Sequence, residues 1–370
     1  MNAQQKPIRM LLTGGGTGGH LFPGIAAAEA LCRRLPGSEI MFIGTRRKMD
    51  QTSLSGYGFA TRSIHCLGIK GKSILSLLQA LAVLPLSFFE AACHILRFRP
   101  DLVLGVGGYV TGPVVAMARI LGKPTVIHEQ NSVPGLANRK LGRLVDRICC
   151  SLPGSEEYFP AGKVVLTGNP VRRQILELAQ GLQESRERTD LTIMVLGGSQ
   201  GAHRVNELAV EALIRYKKSA PRDLKVIHQT GVADEDMVRS RYAAFGIEAQ
   251  VAPFFTDMAT LYAQADLLIS RAGATTLAEL AILGKPAILI PYPSAADNHQ
   301  EKNGRHYVKG GGAVMLPERD LTDVKLADAV EQLAGDPARR RGIAGKMREL
   351  AYPRAAEEIV NVCLQLLADR

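Results

Sequence analysis

A glycine-rich run near the N-terminus constrains this chain more than any other feature. In Leu11–Gly24, read LLTGGGTGGHLFPG, an apolar run from Ile8 to Leu12 breaks into five glycines and one threonine, and His20 then opens a segment with helical spacing at Ile25, Glu29, Leu31 and Leu35. The order predicts a strand, a tight glycine turn and a helix. Glycines at such a turn permit positive φ and let a ligand approach the main chain, while the first-turn N–H groups and the positive end of the helix favour an anion, usually a phosphate. His20 at the mouth of the helix is read as facing that ligand, with helix capping as the alternative.

Gly14, Gly16 and Gly19 also satisfy the G-x-G-x-x-G dinucleotide fingerprint, so a nicotinamide enzyme is the first rival. That fingerprint needs an acid at the end of the second strand to hold the ribose. Here the second strand, Ile40 to Ile43, ends in Gly44, Thr45, Arg46 and Arg47, while Glu39 sits at its start. Only an NADP-dependent oxidoreductase survives this test, with Arg46 or Arg47 on the 2′-phosphate.

The chain has 370 residues, which predicts two domains of roughly 100–200 residues each. Cys32, Cys66, Cys93, Cys149, Cys150 and Cys363 show neither C-x-x-C pairing nor framework spacing, and read as small core residues in a reducing compartment. No apolar signal segment precedes the first strand, so a cytoplasmic location is expected. The formal net charge is +10, and it lies wholly within residues 1–168; residues 169–370 balance to zero. Such asymmetry predicts that the N-terminal half meets an anion field: nucleic acid, an anionic membrane or a phosphorylated substrate. A nucleic-acid protein is disfavoured, because the basic half lacks interleaved aromatics and any DNA- or RNA-binding motif.

Strands are predicted at 8–12, 40–43, 59–64, 102–105, 125–128, 147–150 and 164–166, with helical patterns between them. The alternation restarts at 191–196, 225–228, 248–251, 267–270, 287–290 and 313–316, and the first of these again runs into glycines, Gly197 to Gly201. The expected fold class is α/β, as two doubly wound Rossmann-like domains facing each other across a cleft. The expected division is 1–168 for an acceptor- and membrane-facing domain, 169–350 for a nucleotide-binding domain, and 351–370 for a helix packing back on the first. The polar run from Gln183 to Asp190 reads as a loop or solvated helix end. The segment Ile74 to Phe98 is apolar but interrupted by Gln79, Pro85, Glu90 and His94, which predicts a buried helix kinked at Pro85 rather than a membrane span. With Arg62, Lys70 and Lys72 before it and Arg97 and Arg99 after it, the part from Ile74 to Phe89 is the candidate for an apolar patch rimmed by basic residues. Leu78, Leu81 and Phe88 are its expected bilayer-facing residues.

Doubly wound domains bind ligands outside the carboxyl ends of their strands. The groups expected there are Thr17 to His20, GVGGY (Gly105 to Tyr109) and HEQN (His128 to Asn131) in the first half. In the second half they are GGSQG (Gly197 to Gly201), Phe254 and Phe255, RAGATTLAE (Arg271 to Glu279) and DNHQ (Asp297 to Gln300). Together with GNPVR (Gly168 to Arg172), these motifs resemble the MurG family in order and over almost the whole chain. Members of that family are inverting GT-B transferases, glycosyltransferase family 28, acting between UDP-N-acetylglucosamine and lipid I at the cytoplasmic face of the inner membrane. The resemblance implies formation of a β-1,4 linkage to the C4 hydroxyl of the muramyl sugar, making lipid II for peptidoglycan. It also implies no cofactor, no nucleic acid partner and peripheral contact with an anionic membrane.

Site roles follow from the same resemblance. Ser199 would lie near the pyrophosphate, the Phe255 backbone against uracil, and Ala274, Thr275, Thr276, Leu277 and Ala278 at a helix start on the nucleotide. Glu279 would hold the ribose hydroxyls, and Gln300 the sugar. Thr17, Gly18, Gly19, Asn131 and Arg172 would complete the donor site, and Tyr109, Asn138, Asn206, Arg271 and His299 would support the site or the acceptor, with Arg271, after its strand, reading equally as a structural ion-pair residue. The family carries a second glutamine where His299 stands. Inversion needs one general base to take the proton from the attacking hydroxyl. His20 is the candidate because its ordinary pKa near 6.5 suits that work, and Glu129 is the runner-up. Asp234, Glu235 and Asp236 match a D-x-D metal motif in form, but at an expected helix start they read as first-turn and capping acids, and no metal is predicted.

Overall fold

The structure is a computed structural model that describes residues 6–15, 18–45, 57–68, 74–181, 190–198, 201–219 and 223–370. Gly16, Thr17, Arg46, Arg47, Lys70, Lys72, Ser199, Gln200 and most of the polar run that begins at Gln183 lie outside the described residues. The chain divides into two compact units, Met1–Arg172 with Pro353–Arg370, and Arg173–Tyr352.

The first unit is built on seven parallel strands among the described residues: β1 (Arg9–Thr13), β2 (Glu39–Gly44), β3 (Ala60–Ser63), β4 (Leu102–Gly105), β5 (Thr125–Glu129), β6 (Arg147–Cys150) and β7 (Val164–Leu166). Their order is β3-β2-β1-β4-β5-β6-β7. Alternate residues of each strand feed opposite cores, as the period of two requires. Met10, Leu12, Phe42, Leu104 and Val126 pack on one face, against the helix Gly18–Arg34 and the C-terminal helix Ala355–Ala368. Leu11, Met41, Val103, Ile127 and Ile148 pack on the other, against the helices Ile74–Phe98 and Thr111–Ile120. Both faces being covered, the strands read as near-continuous apolar runs.

The second unit repeats the plan with β8 (Leu191–Leu196), β9 (Leu224–Gln229), β10 (Glu248–Ala252), β11 (Leu267–Ser270), β12 (Ala287–Leu289) and β13 (Val314–Met315), in the order β10-β9-β8-β11-β12-β13. In each sheet the order reverses beside the first strand, between β1 and β4 and between β8 and β11. A crevice opens at such a switch point, outside the strand ends. The glycine runs after β1 and β8 both fall there.

Two sequence expectations change. Helix Ile74–Phe98 is not a buried helix: Ala80, Ser87, Ala91 and Ile95 line its packed face, while Leu78, Leu81, Leu86, Phe89 and Leu96 are exposed. Phe89, at 67 % exposure, rather than half-buried Phe88, points outward, because the 80/87/91/95 face is the one that meets the sheet. The cysteines also divide: Cys149, Cys150 and Cys363 are buried, Cys32 and Cys66 are partly buried, and Cys93 is exposed.

The C-terminal helix closes the first core with Ala356, Ile359, Val360, Cys363 and Leu364. Its Arg370 reaches Asp146 at 3.1 Å, and Glu357 faces Arg33 at 3.6 Å. Ile359→Ala is expected to destabilise the first unit by about 2–5 kcal/mol, the usual cost of emptying an Ile site. In urea unfolding followed by probes placed in each unit, the transition of the first should move and that of the second should not.

Candidate functional site

At the β1–β4 switch point, two glycine loops pass so closely that side chains are excluded between them. A Cβ on Gly14 would lie 2.4 Å from a Val106 methyl, and one on Gly108 only 2.3 Å from the Gly15 carbonyl oxygen. Gly107 and Gly108 hold φ of +103° and +85°, a region that favours glycine. A Cβ on Gly107 would sit 2.8 Å from His20 Nδ1, so the imidazole rests against bare backbone. His20 lies in the first turn of its helix, partly buried, with Nδ1 2.8 Å from Gln130 Oε1. It therefore does not cap the helix; its ring is turned towards HEQN.

HEQN ends β5 and is almost wholly buried. Gln130 Nε2 donates to the Val106 carbonyl at 2.8 Å and lies 3.0 Å from His128 Nδ1. His128 Nε2 faces the Gly168 carbonyl at 3.2 Å and the Ser151 hydroxyl at 2.9 Å. Burial pushes the His128 pKa down to about 4, so the ring is neutral at pH 7. Glu129 has a different task. Its carboxylate accepts the Asn131 N–H at 2.9 Å, the Asn131 amide at 3.2 Å, the Gly135 N–H at 3.2 Å and the Asn138 amide at 2.8 Å. Four donors from the following turn occupy its two oxygens. Asn138, one of the expected supporting residues, thus braces Glu129 and the His128 carbonyl. Tyr109 follows the glycine loop, its carbonyl receiving the Cys66 thiol at 3.5 Å, and the Arg172 guanidinium stacks 5.0 Å from the Phe22 ring centre.

The second unit offers an anion-suited loop of the same kind. Gly198 and Gly201 hold φ of +94° and +77°, and a Cβ on Gly201 would lie 2.2 Å from the Thr230 carbonyl oxygen. Gln229, at the end of β9, donates to the Gly198 carbonyl at 3.1 Å and accepts the Phe255 N–H at 3.0 Å. One amide therefore ties the glycine loop to the Phe255 backbone. After β11, Gly273 stands at the N-cap of the helix Ala274–Leu283 without a side-chain cap, and Ala274, Thr275 and Thr276 are only partly buried. Uncapped first-turn N–H groups suit an anion. Leu277 and Ala278 are buried on the inner side, as is Glu279, whose Oε2 accepts the Tyr262 hydroxyl at 3.1 Å. Asp297 and Asn298 take φ of +54° and +55°, strained values for non-glycine residues, immediately before His299 and Gln300. Gln300 Oε1 accepts the Tyr292 N–H at 3.0 Å, and His299 Nδ1 donates to the Ala296 carbonyl at 2.8 Å.

Three polar residues of the second unit are held by the framework around them. Arg271 is buried, pairs with Glu318, donates to the carbonyls of Ile290 and Pro291 at 3.1 and 3.2 Å, and stacks on Tyr292. Asn206 is fully buried between the Thr230 carbonyl, Asp234 and His228. Asp234 occupies an N-cap position but does not cap: its oxygens take His203 Nδ1 at 2.8 Å and the Asn206 amide at 2.7 Å. Gln229 and Tyr262 are residues that pattern reading passed over, and Gln130 was read only as part of HEQN, with no role of its own. The signal for the two glutamines was present, since each stands within two residues after a buried histidine at the polar end of an apolar strand.

Comparison with known proteins agrees with this layout. Residues 10–150 match the glycosyltransferase family 28 N-terminal domain, and residues 192–359 match the family 28 C-terminal domain. A UDP-N-acetylglucosamine–N-acetylmuramyl-(pentapeptide) pyrophosphoryl-undecaprenol N-acetylglucosamine transferase of Desulfotalea psychrophila is 55% identical, over 97% of either chain. The Geobacter sulfurreducens protein of the same name is 44% identical over 96% of this chain and 97% of its own. Among solved structures, Acinetobacter baumannii MurG superposes with a TM-score of 0.76 at 30% identity, covering 97% of this chain and 100% of that one.

The His203–Asp234 pair makes a pH prediction. The hydrogen bond and charge of Asp234 raise the His203 pKa above its ordinary 6.5. A raised folded pKa means that the pair's stabilisation is full below the unfolded pKa and is lost as pH rises through the folded one. With His203 well exposed, the effect on stability is small. Asp234→Asn should bring the His203 titration down towards the ordinary value, read by NMR of its ring protons.

Proposed function

The chain belongs to the MurG family within glycosyltransferase family 28, and on that premise we propose that it transfers N-acetylglucosamine from UDP-N-acetylglucosamine to the C4 hydroxyl of the muramyl sugar of lipid I. The product is β-1,4-linked lipid II for peptidoglycan. The NADP-dependent reading is set aside, because relatives matched over nearly the full chain carry a transferase name.

One observation carries the mechanism: an imidazole, His20, stands at the switch point of the first sheet, held from behind by a neutral amide. As the acceptor hydroxyl attacks the anomeric carbon, His20 takes its proton, and the bond to the UDP phosphate breaks with its electron pair leaving on UDP. Glu129 is the weaker base, because donors of its own turn already occupy both oxygens. The second unit is the donor side. Ser199 and the first turn of Ala274–Leu283 stabilise the pyrophosphate, Glu279, oriented by Tyr262, takes the ribose, and Gln300 with His299 meets the sugar. With the Phe255 N–H held by Gln229, the Phe255 carbonyl is the group offered to uracil. Thr17, Gly18, Gly19, Asn131 and Arg172 complement the donor from the first unit.

The exposed apolar stripe Leu78, Leu81, Leu86 and Phe89, with exposed Arg62, Arg97 and Arg99 nearby, suits peripheral attachment to the anionic cytoplasmic face of the inner membrane, where lipid I resides.

Two experiments test this. UDP release from UDP-N-acetylglucosamine with a short-chain lipid I analogue in EDTA should proceed in the intact protein, and His20→Ala should lower kcat about 10²–10⁴-fold at little-changed donor affinity; full turnover in the variant removes His20 as base. Replacing Leu78, Leu81 and Phe89 together with serine should release the protein from anionic liposomes while soluble-analogue turnover persists, and unchanged binding would sink the membrane assignment.

A further inference from the structure

A histidine works as a base only if the nitrogen facing the substrate holds a lone pair, and the hydrogen bond at the other nitrogen decides which one that is. His20 Nδ1 faces Gln130 Oε1 at 2.8 Å. An amide can present either end to a neighbour, and here two inner partners determine the choice. The Val106 carbonyl, 2.8 Å from the Gln130 nitrogen, can only accept, so an amide hydrogen must lie there. The second partner is His128 Nδ1, 3.0 Å away. Beside His128 Nε2 stand the Gly168 carbonyl, which can only accept, and the Ser151 hydroxyl, which can accept as well as donate; with the Gln130 nitrogen already set by Val106, the neutral ring satisfies all three partners with the hydrogen on Nε2 and the lone pair on Nδ1, which takes the second amide hydrogen. Both hydrogens of Gln130 are therefore committed inward. Its oxygen is left facing His20, whose Nδ1 must donate. Gln130 is 2 % exposed and held at both ends, and a side chain on Gly107 would displace the His20 ring, so the arrangement is packed as well as bonded.

We propose that Gln130, anchored by Val106 and His128, is a positioning residue that keeps His20 in the Nδ1–H tautomer and so presents an empty Nε2 to the acceptor hydroxyl. This rests on His20 being the base of the transfer. Among the described residues nothing hydrogen-bonds to His20 Nε2. When Nε2 takes the hydroxyl proton, the imidazolium keeps its Nδ1–H on Gln130, and no second proton moves, because a carboxamide oxygen is not a base at this pH. A glutamine here orients the ring without adding a negative charge, whereas a carboxylate in its place would also stabilise the imidazolium that forms when the proton is taken.

The test is long-range ¹H–¹⁵N NMR of the full chain labelled at histidine, recorded at alkaline pH and assigned by His20→Ala. The wild type should show His20 Nδ1 protonated and Nε2 bare. In Gln130→Met the ring should shift towards the Nε2–H form. The variant's kcat should fall on the order of 10–100-fold, the usual cost of losing an orienting partner, with KM for UDP-N-acetylglucosamine changed by no more than about twofold. Adding His20→Ala to Gln130→Met should cost less than the product of the two single losses, since both act through one group. Four results overturn the proposal: Nε2–H in the wild type, an unmoved tautomer in Gln130→Met, a moved tautomer at unchanged kcat, or fully multiplicative losses. The wild-type spectrum alone decides the first of these if Gln130→Met fails to fold. Full turnover of His20→Ala removes the base reading instead, and leaves the tautomer measurement to stand or fall by itself.

Discussion

The contact on which the first unit's chemistry depends is the meeting of two glycine loops at the β1–β4 switch point. Gly14 lies against Val106, and Gly108 lies against the Gly15 carbonyl, at distances that admit no Cβ. That closeness follows from the sheet: β1 and β4 are neighbours in register, Thr13 opposite Gly105, so whatever follows them must share one narrow space. Glycine answers the steric problem and brings the backbone of one loop against the histidine of the other. It is also what lets the Val106 carbonyl reach Gln130. The loop that packs the sheet end is thus the loop that orients the side chain proposed to act there.

Charge and burial divide between the units in a way that suits a membrane-bound acceptor and a nucleotide donor. The basic excess lies in the first half, and the apolar stripe of Ile74–Phe98 is on the first unit. The second half is neutral overall, and the groups proposed there for the donor pyrophosphate are a helix end and glycine backbone instead of lysines. Dipoles of that kind recognise a pyrophosphate at short range without drawing in every polyanion nearby.

Much of this was legible in the sequence because it rests on local rules. The alternation of apolar runs with helical spacing marked both sheets, and the glycine runs marked both switch points. What was not legible depends on partners distant in the chain. Gln130 draws its meaning from Val106, 24 residues away, and His128 from Gly168, 40 residues away. Arg271 follows a strand end, where a site residue or a structural ion pair fits equally; what the sequence does not name is its partners, Glu318 and Tyr292, 47 and 21 residues away. Asp234 sits where an acid normally caps a helix, and Asn206 and His203 outcompete the helix N–H groups for its oxygens. Phe88 and Phe89 are adjacent and chemically alike; which faces out is decided by the face carrying Ala80, Ala91 and Ile95.

The two units use buried histidines in contrasting ways. In the first, His128 is neutral, and the chain of bonds from it to His20 passes through an amide, so orientation is transmitted without charge. In the second, His228 is also neutral, its pKa pushed down to about 3 by burial, and bonds the Tyr242 hydroxyl and Asn206. That chain ends on a carboxylate, Asp234, which raises the pKa of exposed His203. The carboxylate at the end of one network favours the protonated form of the histidine it faces; the amide at the end of the other orients a ring without adding a charge of its own. A histidine base can be oriented by either partner: a carboxylate also stabilises the imidazolium, while an amide contributes orientation alone. The difference between Gln130 and Asp234 is therefore chemical: the amide facing His20 contributes orientation alone, and the carboxylate facing His203 contributes orientation and charge.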